Sequence, residues 1–206
     1  MWLRIFLFAG LVLHKIIWEI LKRKRNHDVN RVAQQSGADV SSAELCGRDA
    51  RTTSLVKRTI KAAKILLLIF FLIQTLFLNV LPMNNPNPSV RILGSVLFAL
   101  GLCTAIAGRV SLGSSWRDLE DGQVLPDQML VTRGIYRYIR HPIYAGDMFL
   151  IIGLEMALQS WLVLLALAIA AIVIRQSLAE ERLLLKFFPE YSQYRARTKR
   201  FLPFLI

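Results

Sequence analysis

Residues 128–144 read QMLVTRGIYRYIRHPIY, and few residue types there lack chemical use. Tyr136, Tyr138 and Tyr144 offer flat faces with polar tips. His141 can stack on a ring, donate a hydrogen bond, or both. Pro142 suits the first position of a helix, where its missing N–H costs nothing, and the free N–H groups beyond it can receive an anionic group. A second cluster follows about 35 residues later: Arg175, Gln176, Glu180 and Glu181. Positions 176 and 180 are one helical turn apart and share a face. A carboxylate so close to an apolar run suits a cationic ligand, such as the ammonium of an amino acid. Each feature also has a plainer reading. Arg140 and His141 read as anchors where an apolar segment meets the membrane interface, and tyrosines are common there. Glu180 and Glu181 read as a solvated face paired with Arg175 and Arg182. Asp147 and Glu155 are expensive within an apolar segment. Either can face a polar cavity, and Glu155 can reach the outer interface.

Other chemistries leave no trace. There is no glycine-rich strand–turn–helix fingerprint, no P-loop, no HExxH and no Gly-x-Ser-x-Gly elbow. Cys46 lies in a polar stretch and Cys103 in an apolar run without metal-ligand spacing, so neither a disulfide nor a metal site is expected. Any cofactor site must be built from helix ends and the loops between them.

The elements that must position these residues read as membrane helices. Of 206 residues 54% are hydrophobic, and the net charge is +12. A nucleic-acid-binding protein can be this basic, but it does not carry several long apolar runs, and no nucleic-acid partner is expected. The first run, Trp2 to Leu21, has the apolar core of a signal peptide but no small-x-small cleavage site before KRKR at 22–25. It reads as an uncleaved anchor helix or as an interfacial amphipathic one. Residues 22–64 are polar and basic and read as a poorly ordered cytoplasmic loop, attracted to anionic lipid. The second span is 65–81, stopped by PMNNPNPS. The third runs from about Val90 to Gly108, with Gly94, Gly101 and Gly108 seven residues apart. That spacing puts small residues near one face and permits close packing; mere tolerance of glycine in membrane helices explains it equally well. Ile143–Leu158 and Trp161–Ile174, joined by Gln159 and Ser160, form a tight antiparallel hairpin. Each is shorter than the roughly 20 residues of a full span.

Charge sets the orientation. The 22–64 segment carries eleven Lys and Arg, the 109–142 connection five and the tail after Ile174 seven, whereas the turns at 82–89 and 159–160 carry none. The expectation is an all-α integral membrane protein of about five transmembrane helices. Its C-terminal part is a helical hairpin, its N-terminus is outside and its C-terminus cytoplasmic. Residues 1–64 form an anchor and basic loop, and residues 65–206 the main membrane domain. Both chemical clusters then lie at the cytoplasmic face, in the inner membrane if the source is bacterial.

The paired motifs LVTRGIYRYIRHPIYAG and EERLLLKFFPEYSQYRARTKRFLP closely resemble the isoprenylcysteine carboxyl methyltransferase family, including its bacterial and archaeal members. The phospholipid N-methyltransferases share the pattern more distantly. The resemblance runs from about Leu112 to Pro203 and leaves residues 1–64 unmatched. It implies an integral membrane methyltransferase using S-adenosylmethionine (SAM), with a lipophilic or prenylated acceptor. By the family pattern Gln128, Met129, Leu130 and Val131 would lie along the adenosine. Tyr136, His141, Pro142, Ile143 and Tyr144 would line the cofactor pocket, and Glu180 would accept the methionine ammonium. The family commonly carries an arginine one turn before that glutamate to meet the substrate carboxylate. Here the position is Gln176, with Arg175 beside it, so these two are the candidates for positioning the acceptor. Two alternatives stand beside this reading. Sterol-type reductases, which use NADPH, carry a similar RHPxYxGD segment but have about twice as many spans. A lipid-binding membrane protein without catalysis is the other.

Overall fold

A computed structural model describes residues 1–35, 50–113 and 130–202. The described chain is helical: α1 Trp2–Gln35, α2 Ala50–Phe77, α3 Pro88–Leu112, α4 Pro142–Leu158, α5 Val163–Phe187 and α6 Tyr191–Arg197, with a 3₁₀ turn at Gly134–Arg137. Two of these, α3 and the Val163–Lys186 part of α5, are long and apolar enough to cross a membrane, and Ile65–Phe77 forms a shorter apolar stretch. Large apolar side chains project outward from α2, α3 and α5, among them Leu66, Phe70, Ile92, Leu100, Leu164 and Ile172. Lipid tails tolerate such an exterior and water does not.

The polar segment expected to be a loop is helical at both ends. α1 continues through the basic run to Gln35, and α2 begins at Ala50. Neither Gly nor Pro occurs from Leu11 to Gln35 or from Ala50 to Phe77. The Lys, Arg, Gln and Ala of those stretches are strong helix formers, so polarity alone does not end the helices. Cys46 lies outside the described residues.

α3 starts where Asn87 caps it, its side chain accepting from Ser89 N at 2.8 Å, with Pro88 in the first turn. The glycine spacing read from the sequence has a structural outcome: α3 and α4 form the tightest pair in the fold. A Cβ at Gly101 would collide with the backbone of Leu150, one at Gly94 with that of Ala157, and one at Gly108 with Pro142 and Ile143. From the other side, Gly146 abuts the backbone of Ala105 and Gly153 that of Phe98. α1 closes over this seam, so that Leu7, Leu11, Phe98, Leu150, Leu154 and Ala157 form the core. The Phe6 ring meets Phe98 edge to face at 5.9 Å.

The α2–α3 and α4–α5 turns are tied together at one end of the molecule. Met83 N donates to Gln159 O at 2.8 Å, Trp161 N to Leu81 O at 2.9 Å, and Ser160 Oγ to Val80 O at 2.9 Å. Gln159 takes a left-handed conformation that lets the chain reverse, and its side chain donates to Asn87 O at 2.6 Å. Arg4, at the start of α1, bonds the backbone of Thr75 and Leu78 at this same end. Behind it Gln74 Nε2 donates to both oxygens of Glu155, at 2.9 and 3.2 Å, both side chains being buried. Glu155 is therefore part of the internal scaffold at this end, buried and paired with Gln74.

Candidate functional site

At the opposite end, the start of α4, the last turns of α5 and the segment after α6 converge on one carboxylate. Glu181 is 3% exposed. Its Oε1 accepts from Arg140 Nε at 3.0 Å, from Arg200 Nε at 3.0 Å and from His141 Nε2 at 3.2 Å. Its Oε2 accepts from Arg200 Nη2 at 3.0 Å. Arg200 thus grips Glu181 with two parallel bonds, the geometry that makes a guanidinium–carboxylate pair strong. Because a carboxylate faces Nε2, that nitrogen carries the imidazole proton.

The backbone repeats the connection. Residues 138–141 run parallel to 199–200: Lys199 N donates to Tyr138 O at 3.0 Å, Arg140 N to Lys199 O at 2.8 Å and His141 N to Arg200 O at 3.0 Å. The Arg140 guanidinium also donates to the carbonyls of Thr198 and, at 3.1 Å, Arg195. Tyr194 Oη donates to Tyr136 O at 2.8 Å. Residues 198–201 therefore form a strap across the entry to α4. Phe201 lies against His141, with ring centroids 5.8 Å apart, and on the imidazole's account Tyr144 stacks at 5.6 Å with an 18° interplanar angle.

Glu180 behaves differently from its neighbour. The Tyr144 hydroxyl lies within hydrogen-bonding reach of its carboxylate. Its Oε2 is solvent-excluded and has no hydrogen-bond partner among the described residues. An orphaned buried carboxylate oxygen is costly. Beside a ring stack it is the kind of acceptor that a ligand ammonium would satisfy. Tyr136 is buried next to this spot. Desolvation, with Tyr194 and Glu180 nearby, raises its hydroxyl well above the ordinary phenol range, and Arg109 only partly opposes that. Burial likewise pushes the Tyr194 hydroxyl up to about 12. Both phenols therefore stay neutral donors at physiological pH and serve as contact surfaces rather than bases.

The residues expected from the sequence divide as follows. Tyr136, His141, Pro142, Ile143, Tyr144 and Glu180 converge on this end, with Pro142 fully buried and opening α4. Leu130 and Val131 lead into the 3₁₀ turn and are half-buried, whereas Gln128 and Met129 lie outside the described residues. Arg175 and Gln176 are exposed on α5, apart from the Glu181 cluster. The pairing of Glu180 and Glu181 with Arg175 and Arg182 does not occur for Glu181, whose partners come from α4 and the strap. Sequence reading missed the centrality of Glu181 and the role of Arg200. The usable signal was helical phase: Ser177 and Glu181 are one turn apart and both buried, a face that adjacent Glu180 cannot fully share.

A sequence model of the phospholipid methyltransferase family matches residues 89–191, half of the chain, from the start of α3 to the start of α6. The chain belongs to the phospholipid methyltransferase family. Similar relatives include the protein-S-isoprenylcysteine O-methyltransferases of Tribolium castaneum, 31% identical over 116 residues, and Schizosaccharomyces pombe, 30% identical over 109. Both alignments cover 52% of this chain, and they span only 41% and 46% of those longer proteins. The cobalt-zinc-cadmium resistance protein CzcN of Cupriavidus metallidurans is 37% identical over 76 residues, 36% of this chain and 35% of that protein. Among solved structures, a eukaryotic intramembrane Ras methyltransferase (isoprenylcysteine carboxyl methyltransferase) aligns with a TM-score of 0.49 at 22% identity. That alignment covers 71% of this chain and 53% of the other. The family resemblance read from the two motifs agrees with these relatives. Both motif cores, RHPIYAG and the Glu180–Glu181 pair, fall inside the family match.

Proposed function

We propose that the protein is an SAM-dependent membrane methyltransferase that moves a methyl group to a lipid-borne nucleophile at the cytoplasmic face. The observation that carries this reading is Glu180: a buried carboxylate oxygen without a partner, next to the His141–Tyr144 stack, in a chain of a methyltransferase family. The residues fit the cofactor. Glu180 would accept the ammonium, and Tyr136, His141, Pro142, Ile143 and Tyr144 would line the adenosyl and methionyl surfaces. Leu130 and Val131, with Gln128 and Met129 before them, would follow the adenosine. When bound, SAM supplies a methyl already activated by its sulfonium.

The chain then has little covalent chemistry to perform. The Arg140–Glu181–Arg200 lock fixes the entry of α4, and with it the ring faces of His141 and Tyr144, against α5. The strap of residues 198–201 covers His141 and excludes water from it. Positioning of this kind contributes several kcal/mol to a transfer reaction. The topology supports a cytoplasmic site: the uncharged turns share one end with Arg4, and the basic segments leave from the other. Five spans result if α1, α2, α3, α4 and α5 each cross, with α4, about 25 Å long by its residue count, in a locally thinned bilayer. Arg175 and Gln176 remain candidates for guiding the acceptor along the lipid-facing side of α5.

The test is transfer. Protein reconstituted in a membrane lipid extract and given methyl-tritiated SAM should produce organic-extractable label, and Glu180→Ala should abolish it at micromolar SAM. Label that stays aqueous with active, SAM-binding protein would refute a lipid-borne acceptor.

A further inference from the structure

The surfaces assigned to the cofactor are shut off from solvent in this conformation. His141, Tyr136 and Pro142 are buried, and Glu180 Oε2 is solvent-excluded. A ligand of the size of SAM reaches them from the cytoplasm only if one wall of the site moves.

The walls differ in how firmly they are held. On one side the backbones of α3 and α4 touch at Gly101, Gly108 and Gly146, so neither helix can shift without breaking the seam. Arg109 braces the same side. Its guanidinium lies over the Trp18 ring of α1, with Cζ 3.0 Å from the centroid, and its Nη2 is 3.6 Å from Asp147 Oδ2 on α4. On another side α5 is held by the buried Ser177 and Glu181, and α6 by the buried Tyr191.

The chain after α6 is held differently. Thr198 is buried and ends the helix, its hydroxyl donating to Tyr194 O at 2.7 Å. Beyond it Lys199 is exposed, and Arg200, Phe201 and Leu202 are half-buried. Their hold on the body is polar. Three backbone bonds join them to residues 138–141, and Arg200 donates twice to Glu181. The Phe201 ring against His141 is the apolar contact, and it sits over the imidazole that faces the cofactor surface. A segment with little buried apolar area and a few hydrogen bonds opens locally at far lower cost than a packed helix pair.

We infer that residues 199–202 are the gate for cofactor exchange, hinged at Thr198 and latched by the Arg200–Glu181 pair. This rests on the methyltransferase reading above and adds to it how the same site is entered and left. Lifting the gate takes Phe201 off His141 and frees the path to Tyr144 and Glu180, while Arg140 and His141 keep Glu181 paired. A gate that closes alike over the site with and without ligand sets the rates of binding and release, and it leaves affinity unchanged. The demethylated product leaves by the same path, so the latch also limits turnover wherever product release is the slow step.

The experiment measures SAM exchange on the full chain in detergent for wild type, Arg200→Ala, Arg200→Lys and Phe201→Ala. Association and dissociation rates come from rapid filtration of tritiated SAM, affinity from equilibrium titration, and folding from thermal unfolding. Loss of the charge-assisted bonds of Arg200 should speed both binding and release in Arg200→Ala about 10-fold or more, with Kd within about threefold of wild type. Arg200→Lys should fall between the two, and Phe201→Ala should also speed both rates. Amide hydrogen exchange of wild type provides a readout that needs no variant. The amides of Arg140, His141 and Lys199, which make the backbone bonds to and from the gate, should exchange by local opening, well before those of Leu150 and Ala157 on the seam. The inference is overturned if folded Arg200 variants exchange SAM at wild-type rates, or if release alone quickens so that affinity falls in proportion. It is equally overturned if the gate amides exchange only with global unfolding, a result that decides the matter even where Arg200→Ala fails to fold. Wild type that binds no SAM overturns the methyltransferase reading itself, whereas SAM binding with unaltered rates in every variant overturns the gate alone.

Discussion

Two adjacent glutamates with opposite surroundings define the chemistry of this molecule. Glu181 is held by two guanidiniums and an imidazole, and Glu180 keeps an oxygen without a partner. Removing the charge of Glu181 leaves the partly buried Arg140 and Arg200 without a counter-charge, a change whose cost reaches about 3–5 kcal/mol only for fully internal pairs. Glu181→Gln is therefore expected to lower the unfolding temperature markedly in detergent and to free the C-terminal strap to proteolysis. Glu180→Gln should do neither, since the amide oxygen can still accept from the Tyr144 hydroxyl. Differential scanning fluorimetry and limited proteolysis separate the two. The sequence made the polar pair Arg140–His141 and the pair Glu180–Glu181 visible, but not that Glu181 is the glutamate that meets them. That choice depends on the rotation of α5 about its axis, set by packing that no local motif encodes.

At the level of elements, the α3–α4 seam fixes where the site residues stand. Gly101 and Gly146 bring the two backbones into contact, and every position from Pro142 to Asp147 inherits its orientation from that contact. A branched side chain has nowhere to go. Gly101→Val should destabilise the fold by about 1–3 kcal/mol through overpacking, read as a lower midpoint in thermal unfolding. It should also weaken SAM binding, although residue 101 is far from the cluster. The glycine spacing of seven was legible in the sequence because it follows helical periodicity. The matching glycines on α4, Gly146 and Gly153, also seven apart, repeat the signal. The continuation of α1 and α2 into the basic segment was not legible from polarity. Hydropathy reports the solvent a helix prefers and says little about where its hydrogen bonds end.

For the whole molecule, the two ends differ in charge and in task. One end is a scaffold of interlocked turns around Gln74, Glu155 and Gln159. The other gathers α1, α3, α4, α5 and the C-terminal strap around the candidate site. The topology proposed here has a simple test. In a background lacking Cys46 and Cys103, cysteine introduced at Asn84 should react with an impermeant maleimide from outside intact cells. Cysteine at Arg195 should react only after permeabilisation. The reverse pattern would move the site to the outer face and remove access to a cytosolic cofactor. At this scale the sequence expectation rests on a positive-inside bias summed over loops rather than on any single contact, and the labelling experiment decides it.

The most direct measurement is a binding titration of the purified protein with SAM, S-adenosylhomocysteine and NADPH, for wild type and Glu180→Ala. The account predicts that wild type binds SAM and S-adenosylhomocysteine but not NADPH. Loss of one charge-assisted bond to the ligand, worth about 1.5–3 kcal/mol, should weaken SAM binding roughly 10- to 100-fold in Glu180→Ala. NADPH binding without SAM binding, or equal SAM affinity in the two proteins, would contradict it.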